Sequence, residues 1–161
     1  MILYSILDKK YINDKNIRKN GDFNSVRTTI TGGKRFHHGI DYKAPIGSNI
    51  YAANCGKVIF STFNQSGFGN CIVIKHEDGT STLYAHLKEL PLFKINSEVK
   101  CGCKIGEVGD TGNAKGTEPH LHFECLDKVG TLLIERCSNN CNLGIPCGLY
   151  RLNPHEFLKI N

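Results

Sequence analysis

The stretch His120-Leu121-His122-Phe123-Glu124 decides how this sequence is interpreted. Successive side chains of a β-strand point to opposite faces, so His120 and His122 are predicted to share one face. Two imidazoles on one face suit a zinc ligand beside a proton-transfer group. Two ordinary histidines on the wet face of an antiparallel strand fit the same residues. The rest of the sequence must decide between these interpretations.

A second cluster lies upstream, in Phe36-His37-His38-Gly39-Ile40-Asp41-Tyr42-Lys43-Ala44-Pro45. It offers an imidazole at His37 and a carboxylate at Asp41, both of which suit zinc. Their spacing of four would fit one face of a helix, but Gly39 and Pro45 oppose a helix. We therefore predict a bent loop-to-strand segment in which the two side chains converge. A basic surface turn with an ion-paired aspartate is the alternative.

A third cluster is Thr82-Leu83-Tyr84-Ala85-His86-Leu87. Alternation places Tyr84 and His86 on one face and the three apolar residues on the other, which predicts a half-buried strand. Taken alone, His86 would be an ordinary strand histidine.

Together these clusters resemble the lysostaphin-type (LytM-like) zinc endopeptidases of bacterial cell walls. That family carries a His-x-x-x-Asp motif, a Tyr-Ala-His-Leu-like strand, and a Gly-x-Thr-Gly loop that leads into His-Leu-His-Phe-Glu. This chain has all of them in that order, with the loop at Gly109-Asp110-Thr111-Gly112. The resemblance runs from about Gly32 to Glu124, with a weaker echo at Asn153-Pro154.

The resemblance implies a mainly β fold, an antiparallel sheet or sandwich with a groove that holds the metal and few short helices. It implies Zn²⁺ as the cofactor, with His37, Asp41 and His122 as its ligands. His86 and His120 match the two non-ligand active-site histidines. The remaining histidines match no family role, and we expect His76 and His155 to be surface residues.

Three protein ligands leave a fourth position open, as expected for a catalytic rather than a structural zinc. Proton transfer needs a group that titrates near neutrality, and both His86 and His120 are available for it. The sequence leaves open which of them is the base. Some family members carry a tyrosine about nine residues before the first ligand, where this chain has Thr28. Tyr84 is either its substitute or a structural residue.

Length and composition agree with the family's fold. The chain has 161 residues and 17 glycines, which suits one turn-rich β domain. We expect a lead-in over residues 1–25 and the zinc endopeptidase domain over residues 26–161, including a cysteine-rich C-terminal loop. A short helix is predicted after Pro154. Strands are predicted at 49–53, 57–63, 70–76, 81–87 and 120–126.

The net charge is +5. A basic enzyme would be attracted to an anionic bacterial wall, although dispersed surface charges are the simpler interpretation. No basic run indicates nucleic acid as a partner.

The first ten residues lack a basic region, and Asp8 interrupts their apolar run. We therefore expect no cleaved signal peptide and no membrane span, although the implied substrate lies in the periplasm or cell wall. Three explanations stay open. The chain is a mature form with an added Met, an antibacterial effector delivered without a cleaved signal, or a phage lysin. An effector would have an immunity protein as a further partner.

Eight cysteines favour disulfides in an oxidising compartment. A polar C-terminal loop holds Cys137, Cys141 and Cys147, and a disulfide there would stabilise it. A second, structural zinc site is the alternative, but no Cys-x-x-Cys spacing supports it.

We therefore predict a zinc-dependent endopeptidase that acts on the peptide stems of peptidoglycan, most simply on the D,D-bond between stems. Glycyl bridges are the alternative substrate. Relatives that have lost ligands only regulate other wall hydrolases, but this chain keeps all five key residues. A wall-binding domain with incidental zinc is the third interpretation.

Overall fold

Antiparallel strands make up most of the regular structure in the computed structural model. The structure describes residues 3–29, 31–64, 67–136 and 150–158. Within these ranges the strands are β1 (Val26–Thr28), β2 (Lys34–Phe36), β3 (Ile40–Lys43), β4 (Asn49–Tyr51), β5 (Gly56–Asn64), β6 (Gly69–Lys75), β7 (Ser81–Leu87), β8 (Glu98–Val99), β9 (Lys104–Glu107), β10 (His120–Leu126) and β11 (Arg151–Leu152). One α-helix, α1, spans Lys128–Arg136. Short 3-10 helices cover Lys9–Tyr11, Asp14–Asn16, Gly112–Ala114 and Pro154–Glu156.

The main sheet has the strand order β11-β10-β7-β6-β5-β8, and β3 pairs with the edge of β10 that β7 leaves free. All of these pairs are antiparallel. The strands β1 and β2 form a separate hairpin, and β4 pairs with β9. The predicted mainly β, antiparallel fold is therefore confirmed, and so is a short helical turn after Pro154.

Strand β10 and its pairing with β3 and β7 position the residues of the candidate site. Its register sets His122 opposite Asp41 of β3 on one side and opposite Ala85 of β7 on the other. Directly opposed residues of an antiparallel pair project from the same face. His120, His122 and Asp41 therefore share a face because of strand pairing, although 81 residues separate the last two in sequence.

Strand β7 departs from the predicted alternation. His86 has a φ of 62°, and the pairing with β6 shifts register between Asn70 and Ile72. This irregularity acts as a β-bulge and moves His86 to the opposite face from Tyr84. The ring of His86 lies 4.9 Å from that of His120, whereas the ring of Tyr84 lies 5.3 Å from that of Phe123. The prediction that these two residues share a face was wrong, as was the half-buried strand, because every residue of β7 is buried.

Two hydrophobic clusters lie against the sheet. The smaller one includes Phe60, Leu83 and Ile134 of α1. The larger one includes Tyr84 and Phe123. The N-terminal residues contribute to this larger cluster with the buried side chains of Leu3, Ile6, Leu7 and Ile12.

Cys55 and Cys101 form a disulfide with a Cα–Cα distance of 4.1 Å. It joins the start of β5 to the turn that follows β8, so it bridges one edge of the main sheet. The predicted C-terminal cysteine cluster, Cys137, Cys141 and Cys147, lies outside the described residues. Among the residues that are described, no helix combines the length and apolar character that a membrane crossing requires.

His76 was expected at the surface but is buried, with only 3% of its area exposed. Its Nδ1 lies 2.9 Å from the Cys55 carbonyl oxygen and its Nε2 lies 3.0 Å from the Thr82 hydroxyl. A buried polar group of this kind is stabilised by its hydrogen bonds. His155 is exposed, as predicted, and its Nε2 lies 2.7 Å from a carboxylate oxygen of Asp22.

Candidate metal centre

The loop that carries His37 enters the sheet through Gly39. A Cβ atom at Gly39 would lie 2.3 Å from the Phe123 carbonyl oxygen and 3.0 Å from a ring carbon of His122. Only glycine allows the backbone to pass this close to β10. The passage brings His37 beside the two strands that carry Asp41 and His122, as the bent loop-to-strand prediction requires.

Three potential ligand atoms converge at this point. His37 Nε2 lies 3.0 Å from His122 Nδ1 and 3.1 Å from Asp41 Oδ1. The third side of the triangle, from His122 Nδ1 to Asp41 Oδ1, is 2.7 Å. All three residues are buried. A tetrahedral zinc ion with bonds of 2.0–2.1 Å separates its ligand atoms by about 3.3 Å, so the triangle has nearly the size that such an ion needs.

The other nitrogen of each histidine is held by a different acceptor. His37 Nδ1 lies 3.1 Å from the Asp22 carbonyl oxygen. His122 Nε2 lies 2.9 Å from Glu124 Oε1. An N–H donated to an acceptor outside the site fixes the tautomer and leaves the opposite nitrogen free for a metal. The nitrogens freed in this way are the two that converge on Asp41, so the donor set fits a zinc ion.

His37, Asp41 and His122 shift one another's pKa values. Burial opposes ionisation of Asp41, but its contacts with His122 and His37 outweigh this effect and hold the pKa of that carboxyl far below its usual range. Burial would likewise lower the pKa of His122, yet its bonds to Asp41 and Glu124 raise this pKa to about 9. In His37 burial dominates and lowers the pKa. The metal-free centre therefore holds one imidazolium between two carboxylates.

Arginines that lie outside the predicted motif residues complete the charge balance. Arg27 Nη2 lies 2.6 Å from Asp41 Oδ2, and Arg18 Nη1 lies 4.0 Å from the same oxygen. Arg151 Nε lies 2.7 Å from Glu124 Oε2. Burial would raise the pKa of Glu124, but contacts with His122 and Arg151 lower it to about 2. Both carboxylates of the centre thus stay ionised.

His86 lies beside the triad, with its ring 6.0 Å from that of His122. Its Nδ1 lies 2.8 Å from the Thr111 carbonyl oxygen, an acceptor, so this nitrogen carries the proton. The loop that presents Thr111 turns at Gly112, where φ is 69° and a Cβ would lie 2.3 Å from the Gly67 carbonyl oxygen. Burial lowers the pKa of His86 to about 3. His86 is therefore neutral, with Nε2 as its acceptor.

His120 has different surroundings. Its Nδ1 lies 2.9 Å from the Glu118 carbonyl oxygen. Arg18 Nη1 lies 3.1 Å from this Nδ1 and 3.0 Å from Nε2, so the guanidinium lies against the imidazole ring. Burial lowers the pKa of His120 to about 4, although the nearby Asp41 opposes the shift. His120 is thus a neutral histidine with a cation against its ring.

Five residues singled out from the sequence therefore lie together around one point: His37, Asp41, His86, His120 and His122. Such a group can hold one metal ion with an open position and transfer protons beside it. Glu124 could have been found from its sequence, because it follows His122 by two residues on the same strand face. No local pattern marks Arg18 or Arg151 as part of the site.

The sequence left open what takes the place of the family's tyrosine, at whose position this chain has Thr28. Thr28 is an exposed residue of the β1–β2 hairpin. The Tyr84 hydroxyl is buried and accepts a 2.7 Å hydrogen bond from the Ala53 backbone N–H. Tyr84 is thus a core residue, as its structural interpretation requires.

The family model described as Peptidase family M23 matches residues 35–132, more than half of the chain. The peptidoglycan DD-endopeptidase ShyC of Vibrio cholerae is 42% identical over 110 residues, which cover 68% of this chain and 24% of ShyC. The DD-carboxypeptidase/endopeptidase Mpg of Neisseria meningitidis is 43% identical over 90 residues, or 56% of this chain and 20% of Mpg. The chain thus spans about a quarter or less of each relative.

Two solved structures of peptidases are similar to this chain. The catalytic domain of lysostaphin from Staphylococcus simulans, described as an antimicrobial peptidase, superposes with a TM-score of 0.65 at 27% identity and covers 89% of this chain and 92% of its own. A zinc-containing peptidase from Vibrio cholerae superposes with a TM-score of 0.61 at 37% identity over 77% of this chain and 37% of its own.

Proposed function

The chain belongs to peptidase family M23, and on that premise we propose that it is a zinc-dependent endopeptidase that hydrolyses peptide cross-links of bacterial peptidoglycan. The observation that carries the proposal is the convergence of His37 Nε2, Asp41 Oδ1 and His122 Nδ1 within 3.1 Å of one another. When bound there, zinc supplies Lewis acidity toward the scissile carbonyl and lowers the pKa of a coordinated water to about 7.

His86 is the general base in this proposal. Its Nδ1 proton is engaged by the Thr111 carbonyl, so Nε2 is the nitrogen able to accept a proton from water. Its lowered pKa in the metal-free protein reflects burial, and so the imidazole enters the reaction neutral. The left-handed backbone at His86 directs the ring to the face of the metal ligands instead of the core.

His120 and Arg18 act on the other side of the reacting group. The guanidinium of Arg18 lies within 3.1 Å of both ring nitrogens of His120, and the Arg18 side chain is 24% exposed, so a substrate can reach it. A fixed cation next to the site favours negative charge that develops on the carbonyl oxygen. Arg18 thereby supplies the electrostatic function for which neither Thr28 nor Tyr84 is positioned.

The substrate we propose is the D,D-bond between peptide stems. Two relatives support it by name, since ShyC is a peptidoglycan DD-endopeptidase and Mpg is a DD-carboxypeptidase/endopeptidase. The proposed site of action is accordingly the periplasm or the cell wall. An antibacterial effector role, with an immunity protein as partner, is a narrower proposal. Selective toxicity when the chain is exported to the periplasm, and not when it stays in the cytoplasm, would support that role.

We also propose that residues 1–25 are a lead-in that packs on the peptidase domain over residues 26–161. The buried side chains of Leu3, Ile6, Leu7 and Ile12 support this arrangement.

The test is digestion of peptidoglycan of defined cross-link type by the zinc-loaded protein, followed by mass analysis of the released muropeptides. We expect uncoupling of D-alanyl cross-links by the wild type and no release by Asp41→Ala, which should also bind less zinc. Asp8→Ala is the matched control, because Asp8 is an exposed carboxylate at the N-terminal segment.

The other outcomes of this digestion identify the alternatives. Cleavage of glycyl bridges alone would replace the proposed substrate and keep the peptidase. Full zinc occupancy and full activity in Asp41→Ala would remove the ligand assignment. Zinc binding without any cleavage, together with stimulation of a partner amidase, would identify a regulator of other wall hydrolases.

A further inference from the structure

An open cavity of about 330 Å³ lies at the end of β3. Its wall includes Lys43, Pro45, Glu118 and Pro119, and Tyr11 and Asn16 of the N-terminal segment close it. Both N-terminal residues lie outside the part of the chain that the family model matches. The cavity therefore lies between residues inside the matched range and residues of the N-terminal segment outside it.

Residues that line the cavity directly precede β10 or pair with it. Glu118 and Pro119 directly precede His120, and the Glu118 carbonyl oxygen holds His120 Nδ1 at 2.9 Å. The register of β3 and β10 sets Lys43 opposite His120. The Cβ atoms of such directly opposed residues lie about 4.5–5.5 Å apart on the same face. The Lys43 side chain thus leaves the sheet beside a residue of the active site.

The positive charge of Lys43 is available to a ligand. No ion pair or hydrogen bond joins its ammonium group to any described part of the chain, whereas the arginines at the centre are engaged by Asp41 and His120. Lys43 is half-buried and Glu118 is exposed. Water and salt screen an exposed charge more strongly than a half-buried one, so the charge of Lys43 is screened less than that of Glu118.

We propose that this cavity is a substrate subsite for a free carboxylate next to the scissile amide, with Lys43 as the cation that binds it. The inference rests on the proposed function. A cross-link to the ε-amine of lysine has no such carboxylate. A cross-link to the corresponding amine of diaminopimelate carries one on the carbon atom bonded to the scissile nitrogen. Lys43 would then be a specificity-determining residue that favours the diaminopimelate type.

The test uses two synthetic cross-linked peptides that differ only in this carboxylate, one with diaminopimelate and one with lysine in the acceptor stem. We expect the zinc-loaded wild type to favour the diaminopimelate peptide in kcat/KM by about 10-fold, the scale of one charge-assisted hydrogen bond. Lys43→Met should lose most of this preference, and Lys43→Arg, which keeps the cation, should retain it. Lys57→Met is the matched control, because Lys57 is exposed on β5, away from the site.

A binding measurement separates this inference from the proposed function. The dissociation constants of both peptides are measured for His86→Ala, with and without Lys43→Met, so that turnover plays no part. Tighter binding of the diaminopimelate peptide, lost with Lys43→Met, supports the subsite even if no cleavage occurs. Equal affinities for the two peptides, or a preference that survives Lys43→Met, overturn it. Cleavage of both peptides without preference would overturn the subsite and leave the peptidase standing.

Discussion

In the proposed zinc site, Glu124 fixes which nitrogen of His122 is available to the metal. Its Oε1 accepts from His122 Nε2 at 2.9 Å, and Arg151 holds its other oxygen. We expect Glu124→Gln to weaken zinc binding by about 10–100-fold, the usual effect of removing such a partner. Zinc affinity measured by competition with a chelating dye tests this. Glu77→Gln, at an exposed carboxylate, is the control, and equal affinities in both variants would contradict the orienting role.

The two non-ligand histidines should separate metal binding from catalysis. We expect His86→Ala and His120→Ala to keep zinc and to lose activity by about 10²–10⁴-fold, the scale of general acid–base contributions. Metal analysis and cleavage assays on the same preparations measure both properties. His155→Ala, at an exposed histidine, serves as the control. Zinc loss in His120→Ala with retention in His122→Ala would show that the roles of this pair are exchanged.

The pKa of His122 predicts a proton release on metal binding. In the metal-free protein its contacts with Asp41 and Glu124 raise this pKa to about 9, although burial opposes the shift. At pH 7 the imidazole is protonated, so zinc must displace a proton, and zinc affinity should rise with pH until about pH 9. Calorimetry in two buffers of different ionisation enthalpy counts the protons. Zinc affinity that is independent of pH between 6 and 9 would contradict this.

At the scale of the elements, the sequence predicted the strands well where an apolar pattern and turn residues bound them. Strands β7 and β10 begin and end at the predicted residues, 81–87 and 120–126. The alternation rule failed at His86, because it assumes regular pairing with the neighbouring strand. A bulge depends on the register with β6, which no pattern within β7 reveals. The burial of His76 likewise depends on the distant Cys55 carbonyl.

A substitution at Gly39 would test how tightly the loop holds His37, the first of the proposed ligands. A Cβ at Gly39 would lie 2.3 Å from the Phe123 carbonyl oxygen. This oxygen belongs to the backbone of β10, so it cannot move aside without displacing the strand. We expect Gly39→Ala to lower the free energy of unfolding by about 1–3 kcal/mol, as overpacking does, and to weaken zinc binding. Chemical denaturation and metal analysis measure the two effects.

Gly33→Ala is the control for this substitution, since a Cβ at Gly33 would meet only a flexible threonine side chain at 3.1 Å. Equal stability and equal zinc content in the two variants would show that β10 tolerates the displacement.

At the scale of the whole molecule, the five key residues could be predicted because sequence motifs carry them, although their roles as ligands and proton carriers remain predictions. The arginines around them could not be predicted. Arg18 reaches His120 across 102 residues, and Arg151 reaches Glu124 across 27, so only the tertiary fold brings each pair together. The cavity beside Lys43 was missed for the same reason, because residues of the N-terminal segment form part of its wall.

The Cys55–Cys101 disulfide joins the residue before β5 to the turn after β8, with a sequence separation of 46 residues. Closing a loop of this length restricts the unfolded chain, so we expect its reduction to lower the free energy of unfolding by about 2–4 kcal/mol. Denaturant unfolding of protein from an oxidising compartment, with and without a reductant, measures this difference.

The double variant Cys55→Ser with Cys101→Ser is the control that isolates this disulfide from the other cysteines. Its stability should match that of the reduced wild type and should not respond to the reductant. If reduction still destabilises the double variant, a second disulfide contributes, and Cys137, Cys141 and Cys147 are the first residues to map. A wild type whose stability does not respond to reductant, and whose eight thiols all titrate as free, would contradict the disulfide. The pairing of β5 with β8 would then hold this edge of the sheet alone.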